Sequence, residues 1–192
     1  MDFKELVKKN RSYRSSDESV RISEEELKGF VDVARYAASS INRQTLKFRL
    51  VYTEEEVAIV RPLTKWAAGL PGMQIPPLGH HAAAFIVICE DMGISTVEKS
   101  YLKDTGICAQ TIMLAAVEAG YGGCMIGNFR PEEVSKALQI PEGIVPQLIL
   151  ALGKPDEEIT IVPAGKDGNV KYYRDEAGRH YVPKRALEDI LL

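Results

Sequence analysis

The sequence contains few of the residues that build metal sites, disulfide frameworks or membrane spans. Its 192 residues include 3 Cys and 3 His, and Cys89, Cys108 and Cys124 lack the spacing of metal ligands. No apolar run reaches the roughly 18 residues that a membrane-spanning helix needs. The chain opens on charged residues rather than on the apolar segment of a secretory signal. These absences predict a cytoplasmic protein that does not act at a membrane.

A strong charge of either sign is also missing. Lys and Arg total 24 against 27 Asp and Glu, for a formal net charge of −3, so no general attraction to nucleic acid is expected. A chain of this length buries about 70% of its unfolded surface, which is enough for a core without disulfides. Repeats, low-complexity tracts and an interdomain linker are not visible either. Residues 1–192 are therefore predicted to form one α+β domain.

Local signals place several helices and strands. Ser23 and Glu26 form a capping box that begins a helix over residues 23–38, and Thr53 and Glu56 repeat the pattern. Apolar or alternating runs then predict the strands, which are residues 48–52, 84–89 and 145–152 and a hairpin of residues 170–173 with 180–182. The run 84–89 is continuously apolar, so we expect it at the centre of the sheet.

The longest predicted helix covers residues 97–119 and is uncharged from Thr105 through Val117. A helix that is apolar on every side is expected to be buried on every side. In so small a chain, one way to bury it is against a partner subunit. The irregular segment Pro62–Pro77, which holds the single Trp, is predicted to be either a lid or a long surface connection.

Familiar catalytic arrangements are absent from the sequence. His80 and His81 are adjacent, and on a strand they would point to opposite faces rather than converge on one metal. The hydrolase motif Gly-x-Ser-x-Gly and the Walker lysine loop are missing, and Gly120–Gly123 lacks the spacing of a dinucleotide fingerprint. Redox or other demanding chemistry is therefore expected to come from a bound group.

Three polar clusters are candidates for binding that group. The first loop has two guanidinium groups and a hydroxyl that suit an anion, and the second has donors and acceptors that suit a heterocycle with an amide-like edge. The third is a basic pair near the C-terminus. Their members are Arg11, Ser12 and Arg14; then Ser39, Ser40, Asn42 and Gln44; then Lys184 and Arg185. Taken singly, each is also compatible with an ordinary solvated surface.

The order of these clusters along the chain, with a long uncharged helix ending in Gly-x-Gly-Gly between them, resembles the nitroreductase family of flavoproteins. The resemblance extends from Leu6 to Leu191. The family pattern Arg-Arg-Ser-x-Arg-x-Phe corresponds here to residues 10–16, and Ala-Pro-Ser-x-x-Asn-x-Gln-Pro-Trp to residues 37–46. The departures of this chain from those patterns include Ser16 for Phe, Ala38 and Thr45 for Pro, and Leu46 for Trp.

The resemblance implies a three-layer α+β fold, with a central mixed or antiparallel sheet flanked by helices, in an intertwined homodimer that binds FMN at its interface. It implies that Arg11 and Arg14, with Lys184 or Arg185, hold the phosphate and that Ser12 adds a hydroxyl. Ser39, Ser40, Asn42 and Gln44 would come from the second subunit and address the ribityl chain and ring edge. Met125, Ile126 and Gly127 would pass the flavin N5 and offer it a backbone N–H.

The function implied by the resemblance is hydride transfer from NAD(P)H through the flavin N5 to a nitroaromatic, a quinone or a similar flat acceptor. Two alternatives stay open at this stage. One is a different flavin reaction on the same scaffold, such as reductive dehalogenation or fragmentation of the flavin. The other is a flavin-binding dimer without turnover.

Overall fold

The computed structural model describes residues 1–66, 74–95 and 101–192. Its helices are α1 (Phe3–Lys9), α2 (Glu24–Ala34), α3 (Glu54–Val60), α4 (Tyr101–Glu118) and α5 (Pro131–Ala137). Its strands are β1 (Ser16–Asp17), β2 (Leu46–Val51), β3 (Ala84–Asp91), β4 (Gly122–Ile126), β5 (Ile144–Pro155), β6 (Ile159–Pro163), β7 (Tyr173–Arg174) and β8 (His180–Lys184).

The larger sheet is built around β3 and β5. β3 pairs antiparallel with β2 on one side and with β5 on the other, as its continuously apolar sequence predicted. β5 also pairs antiparallel with β4 and, at its C-terminal end, with β1, which completes five strands within the described residues. The central sheet is therefore antiparallel.

Side chains that alternate along the central strands divide the core into two halves. Ile86 and Ile88 of β3 pack on one face of the sheet in a cluster with residues of α2 and α4. Phe85 and Val87 point to the other face and pack in a cluster with residues of α3 and α5. Because successive strand residues face opposite sides, one apolar strand supplies both layers. The three-layer α+β fold is confirmed.

The predicted caps are present. Ser23 and Glu26 form the reciprocal capping box of α2, and the Thr53 hydroxyl accepts a hydrogen bond from the backbone N–H of Glu56 at 3.3 Å. Helix α2 ends at Ala34, before the predicted limit of 38. The capping side chains satisfy N–H groups that have no partner within the helix, which explains why the starts were predicted more accurately than the ends.

A second, three-stranded sheet lies near the C-terminus. β7 and β8 form the predicted antiparallel hairpin. The third strand, β6, pairs with β8 in parallel over Ile159–Pro163 and was not predicted. Parallel pairing joins segments that are distant along the chain, so no local turn signal marks it.

One predicted strand is longer than expected, and two predicted segments lie partly outside the described residues. The strand predicted over residues 145–152 continues to Pro155, because β1 pairs with its last residues. A Cβ on Gly153 would lie 2.6 Å from the Ser16 hydroxyl oxygen, so this glycine permits the close approach of β1. Of the predicted helix 97–119, residues 97–100 lie outside the described part, as do residues 67–73 of the Pro62–Pro77 segment.

Helix α4 is not buried on every side within one chain, contrary to the expectation from its uncharged sequence. Leu102 and Ile107 are 55% and 41% exposed. The opposite side of α4, including Ala109, Ile112 and Met113, is buried in the core. Across the described ranges, no helix combines the length and apolarity required to cross a bilayer.

Candidate functional site

A cavity of about 350 Å³ opens where the first polar loop meets α4, β4 and β8. Its size lies within the range of small-molecule sites in proteins. Its walls include five of the predicted site residues, together with residues that the sequence did not indicate. The predicted ones are Arg11, Ser12, Arg14, Met125 and Lys184, and the others include Gln110, Tyr172 and His180.

The first loop is attached to the sheet by backbone contacts. The Tyr13 N–H donates to the Gly123 carbonyl at 2.9 Å, and Ser12 forms a parallel bridge with Gly123. A Cβ on Gly123 would lie 1.9 Å from the Ala151 carbonyl oxygen, so no other residue fits there without displacing the strands. The Gly-Gly pair that ends the Gly-x-Gly-Gly motif therefore seats the loop against β4.

The two arginines of this loop donate to backbone carbonyls. A terminal guanidinium nitrogen of Arg11 donates to the Val7 carbonyl, and one of Arg14 donates to the Ser12 carbonyl, both at 3.1 Å. Within the described residues neither forms a salt bridge. Burial lowers the pKa of Arg11. An anion in the cavity would offset that desolvation and complete the hydrogen bonds of both forks.

Glu157 holds the arginine loop in place. Its carboxylate accepts hydrogen bonds from the backbone N–H groups of Arg14 and Ser15, the latter at 3.1 Å. The same carboxylate binds the Arg174 guanidinium at 2.5 Å, and the Glu157 side chain is 6% exposed. The sequence did not indicate Glu157, because this residue lies far from the loop along the chain and in no motif.

Tyr172 links Arg14 to a buried histidine. The Arg14 guanidinium lies 5.2 Å from the centroid of the Tyr172 ring, a cation–π distance. The same ring meets His180 edge-to-face at 5.5 Å. His180 is 1% exposed and lines the cavity. It was predicted only as a hairpin residue, although a histidine in an inward position of a strand is a usable signal.

Burial, followed by the charges of Arg14 and Arg174, lowers the pKa of His180 to about 4. The imidazole is therefore neutral at neutral pH in this site. Neither of its ring nitrogens has a hydrogen-bond partner within the described residues. A polar side chain buried in this way is normally satisfied by a neighbour or by a ligand.

The remaining predicted residues near this cavity have different surroundings. Arg185 lines a separate surface depression near residues 161–166, so Lys184 is the basic residue of the pair that lines the cavity. The Ile126 side chain is buried on the sheet face that packs against α3 and α5. Gly127 is exposed just after β4 and does not line the cavity.

The second polar loop borders a different cavity of about 260 Å³, lined by Ser39 and Gln44. Asp104 of α4, which is 4% exposed, accepts hydrogen bonds from the Ser39 hydroxyl at 2.6 Å and from the Ser40 N–H at 3.1 Å. Asp104 was not predicted as a site residue. Its signal was its position as the last charged residue before the uncharged part of the helix.

Three residues of this loop have left-handed backbone conformations. Ile41, Asn42 and Gln44 have φ angles of 48°, 54° and 52°. Such angles are uncommon for residues other than glycine and are most strained for a β-branched residue such as Ile41. Clusters of such residues persist where surrounding contacts enforce them, often at ligand sites. Here the contacts of Asp104 with Ser39 and Ser40 hold the start of the loop.

The two loops do not share a cavity within one chain. Gln110 and Met113 of α4 line the first cavity, whereas Asp104 and Cys108 line the second. Nine residues separate Asp104 from Met113, a distance of roughly 13 Å along the helix axis. The structure thus brings together Arg11, Ser12, Arg14, Met125 and Lys184 but leaves Ser39, Ser40, Asn42 and Gln44 in a separate region.

The chain matches known proteins of one family. The model of the "Nitroreductase family" matches residues 7–154. This chain belongs to the nitroreductase family. The protein YdgI of Bacillus subtilis (strain 168), provisionally named an NAD(P)H nitroreductase, is 25% identical over 188 residues, with 82% of this chain and 90% of YdgI covered.

Solved structures of similar proteins agree with the assignment to the nitroreductase family. An FMN-dependent nitroreductase from Clostridium difficile R20291 is 26% identical with a TM-score of 0.65, covering 80% of this chain and 87% of that one. A provisionally assigned nitroreductase from Exiguobacterium sibiricum 255-15, solved in complex with FMN, is 25% identical with a TM-score of 0.69, covering 82% and 90%. The chain is thus a nitroreductase-family oxidoreductase.

The described part of this nitroreductase-family chain holds no group of three or more His, Cys, Asp or Glu placed to bind a metal ion. His80 and His81 precede β3 and contact different carboxylates, those of Asp156 and Glu18. Burial raises the pKa of the Cys89 thiol to about 12 and also raises the pKa of the Cys108 thiol. Both are therefore protonated at neutral pH.

Proposed function

We propose that the protein is an FMN-dependent oxidoreductase that transfers hydride from NAD(P)H to a nitroaromatic, a quinone or a similar flat acceptor. The observation that carries the proposal is the convergence of Arg11, Arg14 and Lys184 on one cavity, with no carboxylate bound to any of the three within the described residues. Unpaired guanidinium groups held by backbone carbonyls are suited to the oxygens of a phosphate monoester.

The residues of the cavity fit FMN in charge and in hydrogen-bonding groups. Arg11, Arg14 and Lys184 would hold the phosphate, and the Ser12 hydroxyl would donate a further hydrogen bond. The segment Met125–Gly127 would pass along the ring, with the exposed Met125 side chain against it and a backbone N–H available. Arg185 would remain near the phosphate as a second basic residue without lining the cavity.

Bound FMN supplies hydride transfer between a reduced nicotinamide and an acceptor, and the protein binds and orients the reactants. The side chains that line the cavity are accordingly cationic, hydroxyl, amide or apolar, with one histidine and no carboxylate among them. The phosphate end would be fixed by charge, leaving the other end of the cavity for a flat molecule. This division of roles explains why the sequence lacks a catalytic triad.

We propose further that two copies of the chain form the complete site. Ser39 and Gln44 line a separate cavity in their own chain, so these two residues, with Ser40 and Asn42 of the same loop, would address the ribityl chain and ring edge of FMN bound by the partner copy. The exposed apolar residues Leu102 and Ile107 of α4 would be covered in such a homodimer. The uncharged sequence of α4 would then match its surroundings.

Two measurements on the purified protein test the proposal. The visible absorption spectrum should contain the two bands of oxidised flavin, and FMN should be the molecule released on denaturation. Oxidation of NADH or NADPH should then require a quinone or nitroaromatic acceptor, with light scattering giving the mass of a dimer. A coloured dimer that is inactive with every acceptor would reject the reaction, and a protein that binds no FMN would reject the proposal entirely.

A further inference from the structure

His180 is a buried side chain of the cavity whose two ring nitrogens the described residues both leave unsatisfied. Its side chain is 1% exposed, and both ring nitrogens are buried without a hydrogen-bond partner in the described ranges. The Glu157 carboxylate approaches the ring only to 3.9 Å from Nδ1, beyond hydrogen-bond distance. Because burying an unpaired polar group is costly, an imidazole in this state indicates a partner outside the described residues.

The surroundings of His180 determine the charge of that partner. Glu157 is the acidic group nearest the ring, and its carboxylate is already engaged by two backbone N–H groups and by Arg174. The other titratable groups that face the ring or share its cavity are basic or phenolic, namely Arg11, Arg14, Tyr172, Arg174 and Lys184. Such a setting repels a cation and favours an anion with several oxygens.

We propose that His180 donates a ring N–H to the phosphate of FMN, and that this contact makes the site prefer FMN over riboflavin. The inference rests on the proposed function and goes beyond it, because it assigns phosphate recognition to a residue outside the two arginines and the C-terminal basic pair. Phosphate is the group that FMN has and riboflavin lacks. A neutral imidazole has one N–H to donate, and phosphate accepts several such bonds.

Tyr172 positions two donors for the phosphate, the Arg14 guanidinium and the His180 imidazole. Its ring lies beneath the Arg14 guanidinium and against the edge of His180, so the two groups are held on one aromatic support. The His180 backbone N–H donates to the Glu158 carbonyl at 3.1 Å, which fixes the strand at this point. The imidazole is therefore oriented before the ligand arrives, which reduces the entropy lost on binding.

Equilibrium dialysis of the full chain against FMN and against riboflavin tests the assignment. His180→Phe keeps the aromatic shape and removes the N–H, and His180→Gln restores a donor. We expect FMN affinity to fall about tenfold or more in H180F, riboflavin affinity to change less than about twofold, and H180Q to recover part of the loss. His80→Gln, which removes an exposed imidazole outside the cavity, should leave both affinities unchanged.

An NMR titration of the His180 ring in the wild-type chain provides a second measurement that does not depend on any variant folding. FMN should raise the imidazole pKa from its low value, because a nearby dianion favours the charged form, whereas riboflavin should not. Equal losses of FMN and riboflavin affinity in H180F, or no FMN-dependent rise in that pKa, would overturn the inference while wild-type FMN binding preserved the proposed function. A wild-type chain that binds neither flavin would overturn both.

Discussion

The buried Asp104 carboxylate accepts a hydrogen bond from the Ser39 hydroxyl at 2.6 Å, which connects the middle of the chain to the second polar loop. The adjacent Ser40 N–H donates to the same carboxylate at 3.1 Å. Helix α4 thus holds the start of a loop that contains three left-handed residues. This relationship identifies Asp104 as a positioning residue, and its consequences for stability can be measured.

Removing the Asp104 carboxylate should destabilise the chain. Asp104→Ala leaves the Ser39 hydroxyl and the Ser40 N–H without their acceptor, so we expect the free energy of unfolding to fall by about 2–4 kcal/mol. Urea unfolding monitored by circular dichroism would measure the loss. The control is Asp32→Ala, since Asp32 forms an exposed ion pair with Arg35, for which a loss below about 1 kcal/mol is expected. Equal losses in both variants would contradict the role given to Asp104.

The arginines of the first loop should contribute to FMN retention. Arg11→Ala or Arg14→Ala removes one charge-assisted donor, and each should weaken FMN binding by about 1.5–3 kcal/mol. Fluorescence titration with FMN gives the affinity of each variant. Arg130→Ala is the matched control, because Arg130 is exposed and pairs with Glu133 on α5. Unchanged FMN affinity in both cavity variants would reject the phosphate assignment.

Gly123 should tolerate no side chain. In Gly123→Ala the new methyl would lie 1.9 Å from the Ala151 carbonyl oxygen, so β4 must shift and destabilise the chain by at least about 2 kcal/mol. Gly29→Ala on α2 meets no atom within 4 Å and should stabilise the chain by about 0.5–1 kcal/mol. Thermal unfolding of the two variants provides the comparison, and a G123A chain as stable as wild type would show that the strands are less tightly packed.

The flavin-free chain should lose stability in acid through His180. Its pKa is lowered from 6.5 to about 4 in the folded state, so the unfolded chain binds more protons between those values. The free energy of unfolding therefore falls as the pH falls from about 6.5 to about 4, by up to about 3 kcal/mol from this group. His180→Phe should lack this component. If the free energy of unfolding changed with pH in the same way in the wild type and in H180F, the lowered pKa of His180 would be refuted.

The exposed face of α4 should control assembly. Ile107 is 41% exposed in one chain, and Ile107→Asp would place a charge in the proposed dimer interface, where burying it is costly. Light scattering should then report a monomer, and FMN affinity should fall at least about tenfold as the partner loop is lost. Ile59→Asp on α3, at a similarly exposed isoleucine, should remain dimeric. An I107D dimer with normal FMN binding would contradict the proposed interface.

The structural elements that depend on signals within a few residues were predicted correctly. The Ser23–Glu26 capping box, the central strand at 84–89 and the hairpin that ends in β8 are all present. Each depends on neighbours along the chain: a side chain that caps its own helix, or an unbroken apolar run. The parallel pairing of β6 with β8 and the short strand β1 were missed, because distant segments stabilise them.

Site prediction followed the same division. Arg11, Ser12, Arg14, Met125 and Lys184 were named from the sequence and line one cavity. Other residues of consequence, namely Asp104, Glu157, Tyr172 and His180, act through contacts with segments far away along the chain. The sequence holds a weak signal for Asp104, the last charged residue before the uncharged part of α4, and for His180, a histidine on a strand, but it holds none for Glu157 or Tyr172.

The sequence by itself determined where the helices begin, which strand is central and which family the chain resembles, since local hydrogen bonds and apolar runs depend on adjacent residues. Only the tertiary structure decided that Glu157 holds the arginine loop, that His180 is buried with no hydrogen-bond partner among the residues the structure describes, and that the two polar loops line separate cavities. These are properties of distance and burial. They arise when the folded sheet brings remote side chains together, and no pattern along the chain records them.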